Sequence, residues 1–127
     1  EVNQRLALYK RLAGAHTAGE VADLRAELAD RFGPLPPPAD QLLDIVGIRV
    51  AARALSVERL EAGEGRVLVT FAPSTPLDPQ RLVGVIQRSR GRLQMKREFT
   101  LEASIRHGEW PSVRDSLLAL LEDLSRT

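Results

Sequence analysis

Three carboxylates near the start of this 127-residue sequence have a type and spacing that could do chemistry. Asp23, Glu27 and Asp30 are four and three residues apart. At about 100° per residue they lie within about 60° of one another on a helix. Carboxylates grouped in this way can pair with guanidinium groups of a partner protein. These residues, here called the acidic flank, are therefore either a docking surface for an Arg-rich partner or an ordinary solvated helix face.

Residues 81–97, here called the basic segment, are the second charged feature. They carry six basic and no acidic residues, although the whole chain has a formal net charge of only +1. Such a segment can bind phosphates through counterion release, but it has no aromatic residue on which bases could stack. A solvated hairpin beside Glu98 and Glu102 is the simpler interpretation. The alternative is a nucleic-acid contact formed by Arg88, Arg90, Arg92, Lys96 and Arg97.

The remaining composition argues against catalysis by this chain. It has no phosphate-binding glycine motif, no nucleophile elbow and no cysteine. His16 and His107 are 91 positions apart and lack ligand neighbours at metal spacing, and the Asp40–Asp44 pair is typical of a solvated helix face. We therefore expect no catalytic, cofactor or metal site in these residues.

Hydropathy and charge indicate a globular chain. Apolar residues make up 43% and charged residues 28% of the sequence, and no apolar run is long enough for a membrane span. We expect a monomer with no membrane contact. Because the sequence does not begin with Met, we also expect it to be a segment of a longer protein.

The apolar periodicity predicts three helices before any strand. In the first, Val2, Leu6, Tyr9 and Ala13 form one apolar row, beside a second row with Leu8 and Leu12. The second helix begins with a capping box at Thr17 and Glu20, ends at Gly33, and has an apolar stripe of Val21, Leu24, Leu28 and Phe32. Glu27 and Arg31, four residues apart, are spaced for an ion pair on this helix. A proline link at 36–38 precedes the third helix, about 39–55, with Pro38 or its neighbour expected in the first turn of that helix.

The pattern then changes to strands grouped in pairs. Strands are predicted at 57–61 and 66–71, a helix follows the Asp78–Pro79 start signal to about residue 87, and further strands are predicted at 92–96 and 99–103. A last helix spans about 111–124. The sequence thus predicts a single α+β domain of order αααββαββα, with a helical part at 1–55 and an α+β part at 56–127.

Three runs of the sequence resemble a known family. They are Asn3 to Leu6 with Tyr9 to Ala13, then Glu27-Leu-Ala-Asp-Arg-Phe-Gly-Pro-Leu-Pro36, then Leu42 to Ile45. Together they are similar to the C-terminal domain of the bacterial transcription-repair coupling factors (Mfd). The similarity is densest over 3–46, continues through the 63–71 hairpin and the 78–87 helix, and fades beyond about Gly91.

The resemblance implies a non-catalytic regulatory domain of a cytoplasmic, ATP-dependent DNA translocase that releases stalled RNA polymerase and recruits excision repair. ATP, Mg²⁺ and DNA would be bound by other domains of that protein. The domain would dock on the N-terminal UvrB-like module of the same chain and mask its UvrA-binding surface. Carried onto this sequence, the docking residues are Glu27, Asp30 and Arg31, which overlap the acidic flank.

Overall fold

The computed structural model describes residues 2–127 and contains five helices and one four-stranded antiparallel sheet in this range. This confirms the predicted α+β class and element order. The chain forms two compact units, one ending at Ala51 and the other beginning at Ala52. The elements are α1 (Val2–Ala13), α2 (Ala18–Phe32), α3 (Pro37–Ala54), β1 (Val57–Ala62), β2 (Arg66–Phe71), α4 (Pro79–Arg88), β3 (Leu93–Arg97), β4 (Thr100–Ser104) and α5 (Trp110–Ser125).

Local capping sets both ends of α2. The Thr17 hydroxyl accepts a hydrogen bond from the Glu20 backbone N–H at 3.0 Å, as the capping box predicts. The Glu20 carboxylate, however, accepts from the backbone N–H of His16 at 2.9 Å, one residue before the expected Thr17 N–H. At the other end, Gly33 has a φ of +78°, which costs glycine little and turns the chain away from the helix axis.

Two of the three prolines belong to α3 rather than to a separate link. The helix begins at Pro37, two residues before the predicted start, and the Pro36 carbonyl accepts from the backbone N–H groups of Ala39 and Asp40. Proline has no N–H to donate, and the first turn of a helix needs none, so Pro37 and Pro38 fit there without loss.

The core of the first unit is an apolar cluster shared by all three of its helices. The row of α1 that faces this core contains Leu12 with the partly buried Leu8, whereas Leu6 and Tyr9 are 53% and 56% exposed. Of the two predicted apolar rows, the one with Leu8 and Leu12 faces the core and the one with Leu6 and Tyr9 does not. Both rows are apolar, so periodicity alone could not select between them. The buried cluster consists of Leu12, Ala15, Val21, Leu24, Leu28, Leu43, Val46 and Val50.

Phe32 also differs from its predicted burial. The first three members of the α2 stripe are buried, but Phe32 is 57% exposed. It is the last residue of the helix, and Gly33 directs the following chain away from it. The stripe therefore ends one turn earlier than its spacing indicates.

The sheet of the second unit has the strand order β1-β2-β4-β3, with every pair antiparallel. Alternate residues of the two central strands, Val67 and Val69 of β2 and Leu101 and Ala103 of β4, are almost fully buried. The second hairpin lies one residue later than predicted, because Phe99 adopts a φ of +60° in the turn and pairing resumes at Thr100. In α5, the buried positions recur at spacings of four and three: Leu117, Leu121 and Leu124.

Candidate interaction surfaces

The outward face of α2 carries carboxylates that no other described residue neutralises. Asp23 and Asp30 are both exposed, and neither forms an ion pair with any residue whose side chain the structure describes. They are seven residues apart, so they lie two turns apart on the same side of the helix. Arg31 is also exposed, about 100° around the helix from Asp30. Two carboxylates on this face and one guanidinium at its side are therefore available to a partner.

Glu27, the third carboxylate of the acidic flank, is already paired within the unit. Its Oε2 atom accepts a hydrogen bond from Nη1 of Arg11 on α1. This bond lowers the pKa of the Glu27 carboxyl and raises the pKa of the Arg11 guanidinium. The nearby positive charge of Arg31 also lowers the pKa of Glu27. The predicted Glu27–Arg31 ion pair is thus replaced by a pair that joins two helices.

A second interhelical ion cluster joins α2 to α3. Arg25 donates through Nη1 to Asp40 and through Nη2 to Asp44, the latter at 2.9 Å. The Asp44 side chain is only 10% exposed. The prediction of a solvated face was therefore wrong for Asp44, whereas the Asp40 side chain is 47% exposed. Two carboxylates four residues apart on one helix present four acceptor oxygens, and one guanidinium can bind both. The four-residue spacing of Asp40 and Asp44 was therefore the feature of the sequence that could have indicated a shared arginine partner.

The structure divides the basic segment among three elements of the second unit. Arg88 ends α4, Arg90 lies in the following turn with a φ of +56°, and Lys96 and Arg97 belong to the edge strand β3. Arg88 and Arg92 line one surface cleft, of which the other three residues form no part. All five side chains are exposed.

The cleft lies beside α4 and α5 and has a volume of about 670 Å³. It is also lined by Arg106, which sequence analysis did not select because it is 14 residues from Arg92 and outside the basic segment. Antiparallel pairing of β3 with β4 brings this distant residue to the same side of the unit as Arg92. The positive surface is therefore defined by topology rather than by a run of charges.

Other kinds of site were also sought. Among residues 2–127, no three His, Asp or Glu side chains are grouped as metal ligands. No helix in this range is long and apolar enough to cross a membrane.

Comparison with known proteins identifies the family. The model of the TRCF domain family matches residues 1–82, about two thirds of the chain. This chain belongs to the TRCF domain family. The family match contains the region 3–46 in which the resemblance was densest, and it stops before most of the basic segment.

Individual TRCF relatives agree with this assignment. The transcription-repair-coupling factor of Escherichia coli (strain K12) is 42% identical over 88 residues, covering 69% of this chain and 8% of that protein. The coupling factor of Myxococcus xanthus is 37% identical over 108 residues, covering 85% of the chain and 9% of that protein. The chain thus matches less than a tenth of the length of either relative.

The fold of this TRCF domain also has a solved counterpart. A crystal structure of the C-terminal domain of transcription-repair coupling factor superposes with a TM-score of 0.76 at 19% identity. The match covers 98% of this chain and 80% of the other chain. The family resemblance seen in the sequence is therefore confirmed. The residues after 82, which the family model does not match, also share the fold of that C-terminal domain.

Proposed function

We propose that this chain is a non-catalytic regulatory domain of a transcription-repair coupling factor and that it docks through the outward face of α2. Its partner is the UvrB-like module at the N-terminus of the same protein, and docking masks the UvrA-binding surface of that module. The whole protein is then a cytoplasmic, ATP-dependent DNA translocase that acts on stalled RNA polymerase. ATP and Mg²⁺ are bound by its motor domains.

The observation that carries this proposal is the pair of unpartnered carboxylates on α2. Asp23 and Asp30 are exposed, lack ion pairs among the described residues, and lie in or beside the Glu27–Pro36 run that carries the family resemblance. Exposed charges two turns apart on a rigid helix can meet Arg or Lys residues of a partner with little loss of conformational entropy in the backbone.

Glu27 has a different part in this surface. Because Arg11 binds its carboxylate, it contributes less net negative charge to an incoming partner than either aspartate. Its interhelical bond instead fixes α1 beside α2. We therefore assign the partner contacts to Asp23, Asp30 and Arg31, and assign to Glu27 the positioning of the face that they share.

A polar surface suits an inhibitory contact that must also open. When the partner is tethered on the same chain, the effective concentration is in the millimolar range for a short flexible linker, so modest ion pairs are enough to keep the contact closed. A large apolar interface would make the inhibitory contact hard to open. Charged contacts between domains open more readily, because water can replace each partner.

The decisive experiment is charge reversal in the full-length protein. We expect Asp30→Arg, alone or with Asp23→Arg, to increase capture of the full-length protein by immobilised UvrA several-fold. The matched control is Glu64→Arg, an exposed acid in the β1–β2 turn. If Asp30→Arg captures no more UvrA than this control, the assignment of the α2 face is wrong. Glu27→Arg is less suitable because it would also remove the Arg11 ion pair.

A second candidate function is nucleic-acid binding by the basic segment. The observation in its favour is that Arg88, Arg90, Arg92, Lys96 and Arg97 are all exposed and none has a carboxylate within 4 Å among the described residues. This function requires duplex DNA to bind the 127-residue chain with an affinity that falls steeply as salt is raised. Salt-independent or undetectable binding would eliminate it.

A further inference from the structure

The cleft beside α4 and α5 takes no part in the proposed docking through α2. Three arginines line it: Arg88 at the end of α4, Arg92 before β3 and Arg106 after β4. Half-buried apolar side chains of Val85 on α4 and Leu120 on α5 also line it. The three arginines are here called the cationic rim and the two apolar residues the apolar floor.

The rim has uncompensated positive charge. None of its three arginines has a carboxylate within 4 Å among the described residues. Two aspartates also line the cleft, but each is bound by a neighbouring arginine. Asp115 accepts from Nε of Arg114 at 2.9 Å, and Asp123 accepts from Nη1 of Arg126 at 3.5 Å. The guanidinium groups of Arg88, Arg92 and Arg106 are thus the groups that remain for a negatively charged ligand.

Gly84 leaves room on α4 for the side chain of Arg88. The guanidinium of Arg88 folds back along α4 and lies so close to Gly84 that a Cβ atom there would be 3.1 Å from Nη1 and 3.7 Å from Nη2. Gly84 and Arg88 are four residues apart, so they share one side of the helix. A glycine in the middle of a helix is less favourable than alanine, and here the missing Cβ leaves space for the Arg88 guanidinium.

We propose that this cleft binds an acidic peptide segment that also carries apolar side chains, supplied by a partner protein. Glutamate or aspartate side chains of that segment would pair with Arg88, Arg92 and Arg106 through charge-assisted hydrogen bonds. Its apolar side chains would cover Val85 and Leu120, which are incompletely buried. This function is separate from docking through the α2 face and does not depend on it.

Nucleic acid fits the same cleft less well. The lining contains no aromatic residue on which a base could stack. A sugar–phosphate chain would also leave the apolar floor uncovered, whereas leucine side chains would remove it from water.

The test measures fluorescence anisotropy of the 127-residue chain with three labelled probes. The first is a short peptide of alternating Glu and Leu residues, the second replaces every Leu by Ser, and the third is duplex DNA. We expect the Glu–Leu peptide to bind most tightly. Arg106→Glu should weaken its binding by about tenfold or more, as expected for loss of one charge-assisted bond. The matched control, Arg97→Glu, changes charge equally at a position outside the cleft and should have a much smaller effect.

Gly84→Ala provides a second variant that removes no ligand-binding group. The added Cβ displaces the Arg88 guanidinium, so probe affinity should fall several-fold while the midpoint of thermal unfolding stays the same or rises. Failure of the Glu–Leu peptide to bind, equal weakening by Arg106→Glu and Arg97→Glu, or tighter binding of DNA than of either peptide would each overturn the proposal.

Discussion

At the scale of single residues, Glu27 shows how a charged surface is divided between stability and recognition. Its spacing places it with Asp23 and Asp30, yet Arg11 of α1 binds its carboxylate and lowers its pKa. The two aspartates remain available because no guanidinium in the described range reaches them. Helical spacing thus groups the three carboxylates but does not show which of them is already paired.

The lowered pKa of Glu27 predicts a pH dependence of stability. Because the folded-state pKa lies below the ordinary value, the stabilisation is fully present above that ordinary value and is lost as the pH falls through the folded-state value. We expect Glu27→Gln to be less stable than the parent chain at about pH 7, with the difference disappearing at about pH 2. The measurement is the free energy of unfolding in urea at several pH values.

Asp23→Asn is the control for this experiment. Asp23 lies on the same helix but has no ion pair among the described residues, so its substitution should leave a small difference that varies little with pH. A Glu27→Gln difference that is constant from neutral to acidic pH would show that the ionised carboxylate does not contribute to stability. The effect should also decrease with added salt, since the pair is exposed.

At the scale of the elements, the sequence predicted most boundaries because the signals are local. The Thr17 cap, the Asp78–Pro79 start and the Gly63–Gly65 turn each fix the backbone through groups only a few residues apart. Where two interpretations differ only in tertiary contacts, local signals carry no information. The choice between the Leu6–Tyr9 and Leu8–Leu12 rows of α1 was of this kind.

The two rows of α1 predict very different costs of substitution. Leu12 is 7% exposed in the apolar cluster, so Leu12→Ala should destabilise the chain by about 2–5 kcal/mol through lost burial and the cavity left behind. Leu6 is mostly exposed, and Leu6→Ala should change stability by only about 0.5 kcal/mol. Chemical denaturation of both variants measures the contrast. Equal costs would mean that the Leu6 row also packs in the core.

The same limit applies to the candidate sites. The acidic flank was visible in the sequence because helical spacing alone groups its residues. The cleft was not visible, because it joins Arg88 and Arg92 to Arg106 through the pairing of β3 with β4. The net charge of +1 indicates neither feature, because it is the sum of an acidic face in one unit and a cationic rim in the other.

At the scale of the whole molecule, the docking face and the cleft have no residue in common and belong to different compact units. Effects of substitutions that share no partners usually add. The two surfaces should therefore work independently.

A crossed experiment tests this independence. In the full-length protein, Asp30→Arg should raise capture by UvrA, whereas Arg106→Glu should leave it unchanged. In the 127-residue chain, Arg106→Glu should weaken binding of the Glu–Leu peptide, and Asp30→Arg should leave it within about twofold at 0.15 M salt. The double variant should show both changes at full size. If Arg106→Glu alone also exposes the UvrA site, the acidic segment bound by the cleft lies within the same protein and contributes to the inhibitory contact, and the two surfaces act as one.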